Sequence, residues 1–298
     1  MSNCIYSSVI AQLLNRDLVG NDVIIKSFSQ LSNIERNTVV FAKRYSDELV
    51  KLLNTHNDIL AIVTNDYHGL LNCSHILSKN PRLDFIKVLT AFFDPADPDK
   101  GKIDLTAVIK DGALIGKNVT IGANCYIGHQ VIIGDNTVIH PNVVIDSCVS
   151  IGHDCEIKSG TVIGQSGFGF ERNEQGEPIR FPHLGKVLIG NHVSIGANNT
   201  IDRATLGATI LEDYVKTDNL VHIAHNDVIR RGSLITAGAI FSGGVTVGEQ
   251  SWVAPNSCFM QQITIGRNST IGLGAVVLKS VDDNSIMVGN PAHKLDKK

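Results

Sequence analysis

A six-residue period of branched apolar residues runs through most of the chain. From residue 103 to residue 163 every sixth position is isoleucine, and the fourth residue after it is small. The pattern resumes at Ile189, Ile195 and Ile201 and, after a slip, continues from Leu211 to Val277. A period of six fits neither an α-helix nor a strand with alternating side chains.

This period predicts short strands joined by tight corners, with three hexads in each triangular coil. The branched and the small residue of each hexad point into the prism, and successive coils stack by parallel hydrogen bonding at about 4.8 Å. Glycine often follows the branched residue, as expected for a corner that needs unusual backbone angles. The predicted fold is therefore a parallel β-helix, whose end strands need covering by the N-terminal region and the tail.

The period is absent before residue 94. There, "DVIIKSFSQL", "NTVVFAKRY" and "DILAIVTND" predict strands, whereas "SDELVKLLNT" and "PRLDFIKVLTAFF" predict helices. The stretch "DPADPDKGK" is typical of a linker. We therefore predict a small α/β domain over residues 1–94, a linker over 95–102, the β-helix over 103–281 and a tail over 282–298.

Composition excludes several classes of protein. The net charge of −3 and the lack of a basic tract argue against nucleic-acid binding. We see no signal peptide, and no segment approaches the roughly 20 apolar residues of a membrane span. The six cysteines lack CxxC spacing, and several fill small apolar positions of the repeat. These features predict a reduced, cytoplasmic protein without a metal site.

The repeat places one histidine where it could do chemistry. His225 is the second residue after the inward Ile223, so it occupies an outward corner. Gly243 is 18 residues later and is expected one coil above it. A base beside an exposed backbone N–H is the minimal set for acyl transfer. Asp218 and Asp227 could orient the imidazole, although Asp227 falls in the small inward column.

The competing interpretation is a solvated histidine, since His129 and His153 occupy the same hexad position. Two interruptions of the repeat favour function. One is the long segment between Ile163 and Ile189, which contains aromatic residues and glycines. The other, "IDRATLGATILEDYV", directly precedes the histidine segment. Loops of the first kind are often functional in compact repeats.

The segments "GFGFERNEQGEPIRFPHLGKV", "IGANNTIDRATL" and "TDNLVHIAHN" occur in this order. They resemble the UDP-3-O-(3-hydroxyacyl)glucosamine N-acyltransferases of lipid A biosynthesis, and the likeness covers most of the chain. It implies a left-handed β-helix of the hexapeptide type. It also implies a homotrimer with active sites between the prisms.

The resemblance also assigns roles to individual residues. It implies that His225 is the general base, that Gly243 donates its N–H to the oxyanion, and that Asp218 and Asn219 belong to the same site. We place His222 among the substrate-binding candidates. Phe41 and Tyr45 correspond to the family's aromatic pair that sandwiches uracil, and Gln262 takes the place of a second family histidine.

The chain also departs from the family. The segment containing Phe41 and Tyr45 is two residues shorter and lacks the family's asparagine. The sequence ends in "GLGAVVLKSVDDNSIMVGNPAHKL", which resembles sugar acetyltransferases that use coenzyme A.

We therefore expect an N-acyltransferase that moves an acyl group from a thioester, preferably acyl-CoA, to a nucleotide-linked amino sugar, with no tightly bound cofactor. The alternative is the lipid A enzyme itself, using acyl carrier protein. Rivals from other classes are a metal site of the γ-carbonic anhydrase type and a non-catalytic scaffold.

Overall fold

The computed structural model describes residues 4–95 and 98–295, which form two compact units that divide between these two ranges. The predicted linker over 95–102 and the predicted tail over 282–298 lie partly outside the described residues. The same holds for the first three residues of the predicted N-terminal domain.

The first unit is a small α/β domain around a five-stranded sheet that is parallel except at one edge. The sheet strands, in spatial order, are Leu18–Val19, Ser74–Leu77, Leu60–Val63, Thr38–Ala42 and Ser27–Phe28. A separate antiparallel pair joins Ile5–Tyr6 to Ile24–Ile25. The helices are Ser7–Leu14, Asp47–Leu53 and Pro81–Phe92, with a 3-10 turn at Asn65–Tyr67. No helix of the described residues is long and apolar enough to cross a lipid bilayer.

Two of these helices were predictable because their first turns carry recognisable caps. The Ser46 side chain accepts a hydrogen bond from the Leu49 amide, and the Asn80 side chain accepts one from Leu83. The helix Ser7–Leu14 was not predicted, and it begins without a side-chain cap. Tertiary contacts hold it instead, since Asp22 accepts hydrogen bonds from the hydroxyls of both Ser7 and Ser8.

The second unit is the predicted parallel β-helix, with three sheets that form the walls of a prism. Wall 1 contains Thr120–Ile121, Val138–Ile139, Glu156–Ile157, Ser194–Ile195, Lys216–Thr217, Leu234–Ile235, Trp252–Val253, Thr270–Ile271, Ile286–Val288 and His293–Lys294. Wall 2 contains Val108–Ile109, Tyr126–Ile127, Val144–Ile145, Val162–Ser166, Thr200–Arg203, His222–Ile223, Ile240–Phe241, Cys258–Phe259 and Val276–Val277. Wall 3 contains Leu114–Ile115, Ile132–Ile133, Val149–Ile151, Lys186–Ile189, Ala208–Leu211, Val228–Ile229, Thr246–Val247 and Thr264–Ile265. The predicted fold class, a left-handed hexapeptide β-helix preceded by a small α/β domain, is confirmed.

The glycines that follow the branched residues have a different role from the one we predicted. Except for Gly164, whose φ is 91°, they have ordinary backbone angles, and the residue with positive φ lies two places further on, as at Asn124 and Asn136. A Cβ on Gly122 would lie 2.6 Å from the Pro141 nitrogen, and one on Gly134 would lie 2.6 Å from the Gly152 carbonyl carbon. These positions are glycine because the next coil passes too close for any side chain.

The interior of the prism is apolar but contains a polar column. The inward isoleucines are buried, and the rings of Phe241 and Phe259 stack with centroids 4.5 Å apart. In the small column, the buried Thr137 hydroxyl accepts a hydrogen bond from the Cys155 amide one coil later, and Ser251 does the same for Ser269. Such bonds satisfy backbone donors that would otherwise be buried without partners.

Both interruptions of the repeat leave the ladder continuous. Regular partners such as Tyr126 and Val144 are 18 residues apart, but Glu156 pairs with Ser194, 38 residues later. The inserted segment contains a hairpin of Phe170–Arg172 and Pro178–Arg180. At the far end of the prism, Ile286–Val288 extends wall 1, and His293–Lys294 pairs with it antiparallel, so the tail covers this edge as predicted.

Candidate active site

His225 lies at the corner between wall 2 and wall 3, where the strand His222–Ile223 ends. The corner turns at Asn226, whose φ is 65°. Asn226 also fixes the histidine ring. Its Nδ2 donates to the Leu206 carbonyl and its Oδ1 accepts from the Thr205 amide, so Oδ1 can only accept from His225 Nδ1 at 3.1 Å. The neutral imidazole then has its basic lone pair on Nε2.

Gly243 lies directly above this ring, as the 18-residue spacing predicted. A Cβ atom on Gly243 would lie 2.7 Å from His225 Nε2 and 2.5 Å from Cε1, so a side chain here would displace the ring. Among the described residues, no acceptor takes the Gly243 N–H. Lys117 and Asn191 occupy the same hexad step as Gly243, but their backbone N–H groups donate to aspartate side-chain oxygens. The Gly243 N–H is therefore free to donate to a ligand beside the imidazole.

Asp227 joins the corner of the base to the corner of the glycine. Its side chain is fully buried, and its two oxygens accept hydrogen bonds from the Ala224 amide at 2.8 Å and the Val245 amide at 2.7 Å. The unusual carboxylate in the inward column therefore has backbone partners and does not orient the imidazole. Burial is the main cause that raises the pKa of Asp227 to about 8, while the amide hydrogen bonds act in the opposite direction.

Two side chains that the sequence analysis did not single out complete the site. Asp202 belongs to the strand Thr200–Arg203 of wall 2. His183 lies near the end of the inserted segment, and only 5% of its surface is exposed. The rings of His183 and His225 are 5.1 Å apart in an edge-to-face arrangement. Burial raises the pKa of the Asp202 carboxyl, while the nearby charges of His222, His225 and His183 lower it. His183 belongs to "FPHLGKV" and Asp202 to "IDRATL", two of the segments that carry the family resemblance. That resemblance was the only sequence feature noted that could have pointed to these residues.

The base of the inserted segment is anchored close to this cluster. Arg203 donates to the Gly164 carbonyl at 2.5 Å and forms a 2.9 Å ion pair with Asp146. Gln165 donates to the same Asp146 carboxylate. These contacts anchor the turn that leads to Gly167, which lies next to the His225 ring.

The predicted site residues divide into those near His225 and those elsewhere. Gln262 lies at the same corner as Asn226, two coils later. Its backbone N–H donates a hydrogen bond to the Gly243 carbonyl. His222 bonds to Thr200 through Nδ1, and its Nε2 is 4.0 Å from Asp202 Oδ2.

Asp218 and Asn219 lie at the preceding corner, between wall 1 and wall 2. The Asp218 carboxylate accepts from the Asn219 amide, and Asn219 Oδ1 accepts from Ala197. Asp218 is seven residues before His225, which is one corner earlier, so it does not orient the imidazole of its own chain. A role for Asp218 and Asn219 would require a neighbouring chain.

Phe41 and Tyr45 belong to the first unit. The Phe41 ring packs 4.8 Å from Phe85, in the core on one side of the sheet. Tyr45 is 43% exposed and packs against Tyr67, which belongs to a different core cluster. The structure does not stack the two rings on each other, and only Tyr45 presents substantial ring surface.

A group able to hold a metal ion lies at a different corner from His225. Ligand atoms of His153, Asp154 and His192 come within 4.8 Å of one another, between wall 3 and wall 1. His153 bonds to Asp154 at 2.6 Å, and His192 stacks on Tyr214. This group does not include the His222–His225 pair on which the metal-site alternative was based.

Comparisons with known proteins show what the chain is similar to. The family model described as bacterial transferase hexapeptide (six repeats) matches residues 112–147 and 130–165. A UDP-3-O-acylglucosamine N-acyltransferase of Methylococcus capsulatus is 37% identical over 147 residues, covering 49% of this chain and 42% of the relative. UDP-3-O-acylglucosamine N-acyltransferase 1 of Francisella tularensis is 39% identical over 230 residues, covering 71% and 61%. The chain is related to the UDP-3-O-acylglucosamine N-acyltransferases.

This relationship confirms the predicted resemblance. The crystal structure of a UDP-N-acetylglucosamine acyltransferase from Bacteroides fragilis is also similar, with 27% identity and a TM-score of 0.59 over 64% of this chain and 73% of that one. The chain covers less than two thirds of the length of either UDP-3-O-acylglucosamine N-acyltransferase named above.

The buried carboxyl of Asp227 predicts an unusual pH dependence of stability. Its pKa rises from 3.8 in the unfolded chain to about 8 in the folded one, so the folded state binds the extra proton between these values. The free energy of unfolding should therefore fall as the pH rises from about 4 to about 8, by about 1.4 kcal/mol for each unit of pKa difference.

In Asp227→Asn this decline should be smaller, and Ser251→Ala, a non-titrating change in the same column, should keep the wild-type slope. Denaturant unfolding at a series of pH values measures the effect. Equal slopes for Asp227→Asn and wild type would contradict the assignment.

Proposed function

We propose that the chain is an N-acyltransferase that moves an acyl group from a thioester to the amino group of a UDP-3-O-acylglucosamine. The observation that carries the proposal is the contact between His225 and Gly243, which sets a basic Nε2 beside a free backbone N–H. The names of the relatives support this acceptor over an unspecified nucleotide amino sugar. The lipid A reaction, which the sequence analysis gave as the alternative, is therefore better supported than transfer to an unspecified nucleotide-linked amino sugar.

The geometry suits each step of acyl transfer. His225 Nε2 accepts a proton from the attacking amine as the C–N bond forms, and the Gly243 N–H donates to the oxygen of the tetrahedral intermediate. When the C–S bond breaks, the proton on Nε2 passes to the leaving sulfur. Asn226 keeps the ring in the required tautomer throughout.

The acyl donor is the part of the proposal with the least support from the relatives. The C-terminal segment resembles coenzyme A-dependent acetyltransferases, and the relatives' names specify no donor. We propose a thioester, with acyl-CoA and acyl carrier protein as the two sources that the assay below distinguishes.

Replacing His225 by alanine should reduce kcat/KM by about 10²–10⁴-fold, the usual contribution of a general base. The ring points outward, so the free energy of unfolding should change by less than about 0.5 kcal/mol. The measurement is a steady-state assay with a UDP-3-O-acylglucosamine and, in parallel, acyl-CoA or acyl carrier protein.

The matched control is His129→Ala, which removes an exposed histidine from the same hexad step. It should retain wild-type kinetics. His222 is a weaker control because its ring approaches Asp202. Wild-type turnover by His225→Ala would return this histidine to the solvated-surface interpretation.

We also propose that Tyr45 stacks on the uracil ring of the UDP-linked acceptor. Stacking on an aromatic ring is worth roughly 1–3 kcal/mol per base, so Tyr45→Ala should weaken UDP binding by that amount in calorimetry. Tyr6→Ala removes another exposed tyrosine of the same unit and should leave the affinity unchanged. If Tyr45→Ala binds UDP as tightly as wild type, the stacking model is wrong.

A homotrimer is the proposed assembly, with His225 facing a neighbouring chain. The outward corner position of the ring supports this, and a second chain could bring Asp218 and Asn219 to the site. Light scattering should give the mass of three chains of 32.1 kDa each. A monomer at micromolar concentration would exclude an active site shared between chains.

A further inference from the structure

Three polar side chains converge on Gly167. A Cβ atom on this glycine would lie 3.0 Å from His225 Cδ2, 3.1 Å from Asp202 Oδ2 and 3.1 Å from His183 Nε2. The backbone angle of Gly167 is not in the left-handed region, so conformation does not require glycine here. Any side chain would instead press on these three residues, so glycine lets them approach one another.

Asp202 is a carboxylate with unused hydrogen-bonding capacity. Its side chain is 15% exposed, and its closest charged neighbour is His222 Nε2 at 4.0 Å. Among the described residues, no group donates a hydrogen bond to it. A largely buried carboxylate normally has such partners, so Asp202 is suited to a ligand that brings its own donors.

His183 adds a second acceptor at the same place. Its Nδ1 lies 3.0 Å from the Phe181 carbonyl, which can only accept, so Nδ1 carries the hydrogen. In the neutral ring Nε2 then has the lone pair. This Nε2 is buried and has no partner in the described part of the chain. It points towards Asp202 and His225.

The convergence of a carboxylate, an imidazole lone pair and a general base favours a primary ammonium, which carries a positive charge and three N–H donors. We propose that Asp202 and His183 form the subsite that holds the acceptor amino group next to His225, and that Gly167 is needed because any side chain there would intrude between them. This inference rests on the proposed acyl-transfer function and assigns two residues to its substrate.

The subsite also accounts for the two protons that an ammonium must lose. The Asp202 carboxylate takes the first, so an N–H bond breaks, an O–H bond forms and a neutral amine remains. The amine nitrogen attacks the thioester carbon while His225 Nε2 takes the second proton, which then passes to the leaving sulfur. The products are the amide, the free thiol and a protonated Asp202, which returns its proton to water. The raised pKa of the buried Asp202 carboxyl is consistent with this step.

The test compares two nearly isosteric ligands, UDP-glucosamine and UDP-glucose, which differ in an amino and a hydroxyl group at one carbon. Wild type should bind UDP-glucosamine more tightly in calorimetry. Asp202→Asn should reduce that preference by about 10- to 100-fold, the usual range for a charge-assisted hydrogen bond, while its affinity for UDP-glucose stays unchanged. Asp111→Asn, an exposed carboxylate elsewhere on the prism, should retain the wild-type preference.

Two further variants test the geometry. Gly167→Ala should raise KM for the amine substrate at least 10-fold with an unchanged unfolding midpoint, because its methyl group enters the subsite. His183→Ala should raise KM, and His183→Gln, which restores an oxygen acceptor, should recover part of the loss. Unchanged KM in both Gly167→Ala and His183→Ala would overturn the proposal.

The outcomes separate this inference from the proposed function. Acyl transfer by wild type, together with an unchanged ligand preference in Asp202→Asn, would reject the subsite and leave the acyltransferase in place. Equal binding of the two nucleotide sugars by active wild-type protein would reject it as well. If wild type neither binds these ligands nor transfers an acyl group, the proposed function fails and the subsite fails with it.

Discussion

Parallel backbone hydrogen bonds between successive coils fix where every corner of the prism lies. Each regular strand pairs with the strand 18 residues later, so residues at the same hexad step form vertical columns. Because residues 18 apart in sequence stack on each other, the residue above His225 is Gly243. The close approach of coils that excludes a side chain at Gly122 also presses the bare backbone of Gly243 against the imidazole. The proposed pair of base and N–H donor thus requires one suitable residue in each of two stacked coils.

The polar interior column then adjusts this geometry locally. At several coils a threonine or serine hydroxyl satisfies one amide of the next coil, whereas Asp227 satisfies two amides, one in the coil of the base and one in the coil of the glycine. A buried carboxylate is a costly way to satisfy backbone donors unless the connection itself matters. Its position between the two functional corners gives that connection a role in holding their separation.

Features set by the repeat or by a local helix cap were predictable from the sequence, whereas the convergence of distant segments was not. The period predicted the prism, the outward direction of His225 and the neighbour Gly243, because all three follow from a fixed count of residues. The period did not predict that Asp202 and His183 lie beside His225. The inserted segment and the second slip interrupt the six-residue spacing, so residue counting cannot relate these positions to His225. Resemblance had pointed to both segments, but only the folded backbone shows that they converge.

Two other expectations were limited by equally local causes. Asp218 was a candidate to orient the imidazole, yet seven residues carry the chain around a corner of the prism, so Asp218 and His225 of one chain lie at different corners. The partner of Asp227 was not foreseen because it consists of backbone amides, which leave no trace in a pattern of side chains. In the first unit, Phe41 packs into the core through Phe85, a contact that strand periodicity alone does not distinguish from an exposed binding position.

The inserted segment between wall 2 and wall 3 is connected to the prism differently from every regular coil. Its hairpin strands pair with each other, while the ladder beneath continues from Glu156 directly to Ser194. Opening the hairpin therefore breaks few hydrogen bonds of the wall. The hairpin's backbone amides should exchange with solvent through local fluctuations, whereas the wall's amides should exchange only when coils separate. The molecule thus combines a continuously paired frame, which carries His225, with a hairpin that can open without interrupting the ladder beneath it.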